Sequence, residues 1–252
     1  MIKIIRGNWN LRLDEIINPF IPDLKKEEYK NKQKIIELCH VAKFLDILDS
    51  ESCIKGVSES PDFIIQNKKE LIGVELKRFI DIEKREYEGF FETIFLNVEQ
   101  KLKEENSIPN LLVNCWLHPN INYSLHQKKN YVQLIVHILK EYVRTGVVFQ
   151  NILIRDIKIM PHKKISLYPN FGIWVQQYLS NERLQAFIKQ KEQHLLAKYK
   201  LKWSHELWLL VIIGGTNASS FKINWLESYH VDTKFDRVYI LEDFYNNLYQ
   251  LK

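Results

Sequence analysis

Asp62, Glu75 and Lys77 are the residues whose types and spacing could do chemistry together. Twelve residues separate the two acids, and Lys77 stands two beyond Glu75. Alternate residues of a strand share a face, so a carboxylate and an ammonium would project side by side from residues 71–77, while Ile72, Val74 and Leu76 turn toward a core. Residues 61–65 read as a second strand, and the short polar link 66–70 joins the two as a hairpin that can carry Asp62 beside Glu75. Two converging carboxylates suit a hard cation such as Mg²⁺ or Mn²⁺, which takes oxygen ligands and keeps some of its waters. Such an ion stabilises charge on a phosphate and acidifies bound water. A neighbouring lysine could orient or deprotonate that water, or hold a phosphate oxygen. These are the parts of phosphodiester hydrolysis.

The hairpin needs elements around it. A helix is predicted over residues 24–49, with Asp23 as its cap and Ile35, Ile36, Leu38, Cys39, Ala42, Leu45 and Leu48 as its apolar positions. Phe90, Ile94, Val98 and Leu102 predict a helix over 86–105. Further along, 111–117 reads as a strand, 131–143 and 181–200 as helices, and 147–159 as one or two strands. Residues 207–213 form a fully apolar strand stopped by Gly214 and Gly215, 238–241 a last strand, and 243–251 a terminal helix. No repeat, low-complexity tract or linker interrupts the alternation. One α/β domain over 1–252 is expected, with a mixed sheet covered by helices.

Pro61-Asp62, twelve residues, then Glu75-Leu76-Lys77 resembles the signature of the PD-(D/E)XK nuclease superfamily. The order helix, hairpin, helix is similar too, over roughly residues 24–117. The resemblance implies a restriction-endonuclease-like fold with additional C-terminal α/β elements, and a Mg²⁺- or Mn²⁺-dependent nuclease, DNA being the more common substrate of the family. It implies that Asp62 and Glu75 bind the metal, that Leu76 lends its backbone carbonyl, and that Lys77 acts on water. Many members add an acid from the first helix, for which Glu37 is the candidate here. The alternatives are a catalytically inactive nucleic-acid-binding or assembly protein on the same fold, and an unrelated α/β protein carrying the triplet by chance.

The remaining signals are weaker. Arg78, Lys84 and Arg85 follow the hairpin and could hold backbone phosphates; solvated surface charge is the bland reading. Glu37 could equally be a helix-surface acid paired with Lys34. The net charge of +5 permits a polyanionic partner without requiring one. Three cysteines without a C-x-x-C pair argue against a disulfide framework or a structural zinc site. His118 lies alone near a strand end, and Gly214-Gly215-Thr216-Asn217 lacks the phosphate-loop pattern, so it reads as a plain turn. There is no apolar run near the length of a membrane span and no signal-peptide pattern at residues 1–10. A soluble, cytoplasmic protein is expected, with a homodimer or a protein partner left open.

Overall fold

A computed structural model describes residues 3–6, 12–22, 29–49, 51–119, 121–171, 176–199 and 205–252. The chain divides into two units, one formed by 1–81 with 176–252 and the other by 82–175. Neither boundary carries linker composition, which is why the sequence reads as one domain. Both units are mixed α/β, and the first holds a mixed sheet flanked by helices.

The first unit opens with β1 (Lys3–Arg6), α1 (Leu13–Ile17) and α2 (Tyr29–Leu48). Then β2 (Cys53–Val57), β3 (Phe63–Asn67) and β4 (Glu70–Arg78) form an antiparallel meander. Lys68 and Lys69 turn β3 into β4, with Lys68 at φ 56°, the left-handed geometry that tight hairpins use. The second unit follows: α3 (Ile82–Glu105), β5 (Leu111–Leu117), α4 (Lys128–Thr145), β6 (Ile154–Pro161) and β7 (Ser166–Asn170). The chain returns to the first unit through β8 (Gln177–Leu179), α5 (Asn181–Tyr199), β9 (Glu206–Ile213), β10 (Phe221–Ile223), β11 (Arg237–Glu242) and β12 (Asn247–Gln250).

Seven strands of the first unit form one sheet in the order β1-β12-β11-β9-β4-β3-β2. The three central strands, β4, β9 and β11, are parallel, and the outer ones are antiparallel. On one face, Leu38, Val41, Phe44 and Leu45 of α2 pack against Val74, Leu76, Trp208 and Leu210. On the other, Leu184 and Ile188 of α5 pack against Leu207, Leu209 and Val211, joined by Phe221 and Ile223 of the small parallel pair β8–β10. β9 is thus buried on both faces, which is why its sequence is continuously apolar rather than alternating. At its end Gly214 has φ +77°, and a Cβ there would lie 2.7 Å from the Glu242 side chain, so this glycine serves the turn.

In the second unit, β5 sits between antiparallel β6 and parallel β7. One face of this sheet, with Val113, Cys115, Ile157 and Leu167, packs on Phe91, Ile94 and Val98 of α3 and Ile135 and Leu139 of α4.

Several sequence expectations change. The residues 243–251 are not a helix: a four-residue turn, with Asn246 at φ 54°, leads into β12. Leu248 and its neighbour Tyr249 are buried in the cores on opposite sides of the sheet, which strand geometry alone provides. The helix expected at 86–105 is α3 of the second unit, and the helix that leads into the strand beside β4 is α5. Within 147–159 a strand begins only at Ile154, and β7, which contains Pro169, has no counterpart among the strands read from the sequence. The proposed cap Asp23 lies outside the described residues. Among the described residues no helix is long and apolar enough to cross a membrane.

Candidate active site

The hairpin register brings the two acids together. Phe63 pairs with Val74, so the next step places Asp62 opposite Glu75, on the same face. Phe63 and Val74 point into the core under α2, and the acids therefore point to the other face. Asp62 lies just before β3, in a turn closed by the Ser58 amide donating to the Asp62 carbonyl at 3.0 Å and by the Ser58 hydroxyl on the Pro61 carbonyl. Its Oδ2 accepts the Leu76 amide at 2.9 Å, so the side chain continues the ladder after the β3 backbone has left it. Because both backbone groups of a strand residue point to the same edge, the Leu76 carbonyl faces the Asp62 side as well.

Glu75 is 1% exposed. Its Oε2 lies 2.8 Å from the Lys191 ammonium of α5, and its Oε1 is buried without a hydrogen-bond partner among the described residues. Burial, then the charge of Asp62, push the Glu75 carboxyl up to about 7, only partly opposed by Lys191. Lys77, on the same face as Glu75, is exposed.

A second lysine approaches from α2. The Lys34 ammonium lies 3.9 Å from Asp62 Oδ1, 3.3 Å from Glu37 Oε2 and 3.2 Å from the Ser58 carbonyl, 4.8 Å over the Phe63 ring. Glu37 is therefore tied to the acids through Lys34. Among the described residues no group of three or more acids, histidines or cysteines gathers as a metal cluster.

Asp62, Glu75, Leu76 and Lys77 thus share one corner of the first unit. Arg78 is the next strand residue and is exposed. Lys84 and Arg85 belong to the second unit. Arg85 is paired within α3, with both terminal nitrogens on Glu92 at 2.9 and 3.0 Å and one on buried Glu88 at 3.4 Å.

The lysines Lys34 and Lys191 were not among the residues singled out as site groups by sequence. One signal could have found both. Lys34 precedes Leu38 by four and extends the buried stripe Leu38, Val41, Leu45; Lys191 follows Ile188 by three and extends Leu184, Ile188. A lysine on the core-facing stripe of a helix needs a reason.

The donor set fits a divalent cation: two carboxylates, an adjacent carbonyl, and a buried acceptor atom without a donor. Compared with known proteins, the chain matches no family model, no curated protein and no solved structure.

Proposed function

We propose that the protein is a Mg²⁺- or Mn²⁺-dependent nuclease on a restriction-endonuclease-like fold, hydrolysing nucleic-acid phosphodiesters, with DNA the first substrate to test. The single observation that carries the reading is the convergence of Asp62 and Glu75 in register across the hairpin, with Lys77 on the same face. The order α2, antiparallel β2-β3-β4, then α5 leading into β9 parallel to β4 supports the fold. Asp62, Glu75 and the Leu76 carbonyl would hold the cation. Bound there, it would polarise a phosphate and acidify its water. Lys77 orients or deprotonates the attacking water. Lys191 and Lys34 pair with the acids here, and with a cation holding those acids their ammoniums would be left to a phosphate.

The same ion pairs favour a second reading, an inactive nucleic-acid-binding or assembly protein whose acids are permanently satisfied by lysines. One experiment separates the two. Purified protein is incubated with single-stranded DNA, duplex DNA and RNA, with Mg²⁺, Mn²⁺ or EDTA. Metal-dependent cleavage that disappears in Lys77→Ala supports the nuclease. Binding of nucleic acid or a protein partner without cleavage under either metal favours the second reading.

A further inference from the structure

Among the described residues, the core of the second unit lies on one face of its sheet; on the other, Ser166 is buried and the remaining side chains are exposed or half-buried. By register, that face carries three rows: Met160, Leu112 and Ser166; Lys158, Asn114 and Tyr168; Asp156, Trp116 and Asn170. The alternate residues Val113, Cys115 and Leu167 are the ones buried against α3 and α4, which fixes the assignment. Tyr168 is 59% exposed and Met160 55% exposed, and Trp116 is half-buried. The Lys158 ammonium lies 5.1 Å over the Trp116 ring.

We infer that this face is a platform for single-stranded nucleic acid. Trp116 and Tyr168 are diagonal neighbours on the parallel pair β5–β7, one strand across and two residues along, so about 8 Å apart at the backbone. That separation suits two successive unstacked bases, one on each ring. Aromatic rings on an open sheet recognise bases in this way, because every base presents a π-face, and each stack is worth ~1–3 kcal/mol. Charge complementarity favours this occupant over an apolar protein surface. Residues 154–171 carry Arg155, Lys158, Lys163 and Lys164 against one acid, Asp156. Lys158 sits over the Trp116 ring, and a base stacking there would displace its ammonium toward the strand's phosphate. A duplex keeps its bases stacked inside and has no free face to offer the rings, so the platform selects single strands. The inference deepens the nuclease reading, on which its relevance to substrate choice rests, by naming the form of the substrate. The binding itself is independent of metal.

The test measures binding of a fluorescently labelled mixed-sequence oligonucleotide to the full chain by anisotropy in EDTA, for DNA, RNA and the corresponding DNA duplex. Wild type is expected to bind single strands more tightly than duplex. Tyr168→Ala should weaken single-strand binding about 5- to 100-fold, Tyr168→Phe should retain it, and Lys158→Ala should reduce the salt dependence. Both side chains are exposed, so the substitutions leave the core intact. Cleavage with Mn²⁺ is measured in parallel. Single strands bound with these sensitivities but never cleaved would leave the platform standing and sink the nuclease reading. Cleavage by wild type, with Tyr168→Ala and Lys158→Ala binding as wild type does, would overturn the platform and keep the nuclease. Equal binding of duplex and single strand, or no binding in EDTA, also overturns it.

Discussion

Two corners of the first unit are built from the same ingredients with opposite results. Asp243, directly after β11, faces Lys43 at 2.7 Å and His40 at 3.4 Å, both from α2. Burial works against its ionisation, but hydrogen bonds and charge from His40 and Lys43 outweigh it and hold the carboxyl at about 2. Glu75 is buried against Lys191, yet it faces a second acid and lies near 7. One corner has basic groups to spare around a single carboxylate and fastens α2 to the sheet. The other crowds two carboxylates together, and its two lysines only partly offset the cost of ionising Glu75. Strain of that kind, kept in a well-packed unit, is what a binding or catalytic site costs in stability.

The largest expected effect separates chemistry from stability. Lys77→Ala should lower cleavage ~10²–10⁴-fold with an unchanged melting temperature, because Lys77 is exposed and leaves the core face of β4. Asp243→Asn should leave the rate per folded molecule unchanged. A Lys77→Ala enzyme that cuts like wild type would rule out the assigned role.

Next come two substitutions of opposite sign. Glu75→Gln removes the like-charge crowding, so in EDTA at pH 8 it should stabilise the fold by up to about 3 kcal/mol, while abolishing stabilisation by Mn²⁺. Asp243→Asn should destabilise it by about 2 kcal/mol. Urea denaturation measures both; a destabilised Glu75→Gln would show that the Lys191 pair dominates that corner.

The pH dependence sharpens the contrast. Asp243 has a folded-state pKa below its ordinary 3.8, so its contribution is complete above about pH 4 and is lost as pH falls toward 2. Glu75 has a folded-state pKa above its ordinary 4.5, so its penalty is absent below that value and grows as pH rises to about 7. In urea titrations from pH 2 to 8 without metal, the gap between wild type and Asp243→Asn should close at the acid end. The gap between wild type and Glu75→Gln should open toward neutrality.

Glu37→Ala carries the smallest effect. Its ion pair with Lys34 is half-exposed and worth ~0–1 kcal/mol, and cleavage should change little. A fall in cleavage comparable to that of Asp62→Ala would instead make Glu37 a metal ligand that swings in when Lys34 is released.

Local periodicity made much legible. The α2 stripe, the β3–β4 hairpin, the alternation of β4 and the doubly buried run of β9 follow from side-chain directions that a short window contains. That the hairpin could bring Asp62 beside Glu75 was also legible, but the link read at 66–70 set no register; the two-residue turn Lys68-Lys69 of the structure does. Two pieces misled. Residues 243–251 are too short for their period to distinguish helix from strand, and α3 has a good helical pattern whatever unit it joins.

What the sequence determined by itself, then, is the face of β4 on which Glu75 and Lys77 stand and the acid placed across from them. Which helix arrives over that face was decided only in three dimensions. It is α5 rather than α3, because β9 inserts beside β4 in the sheet and the intervening residues fold as a unit with their own core. That choice delivers Lys191 to Glu75. Strand direction is local, whereas the partner across a packed face depends on which strands become neighbours, and no short stretch of sequence holds that information.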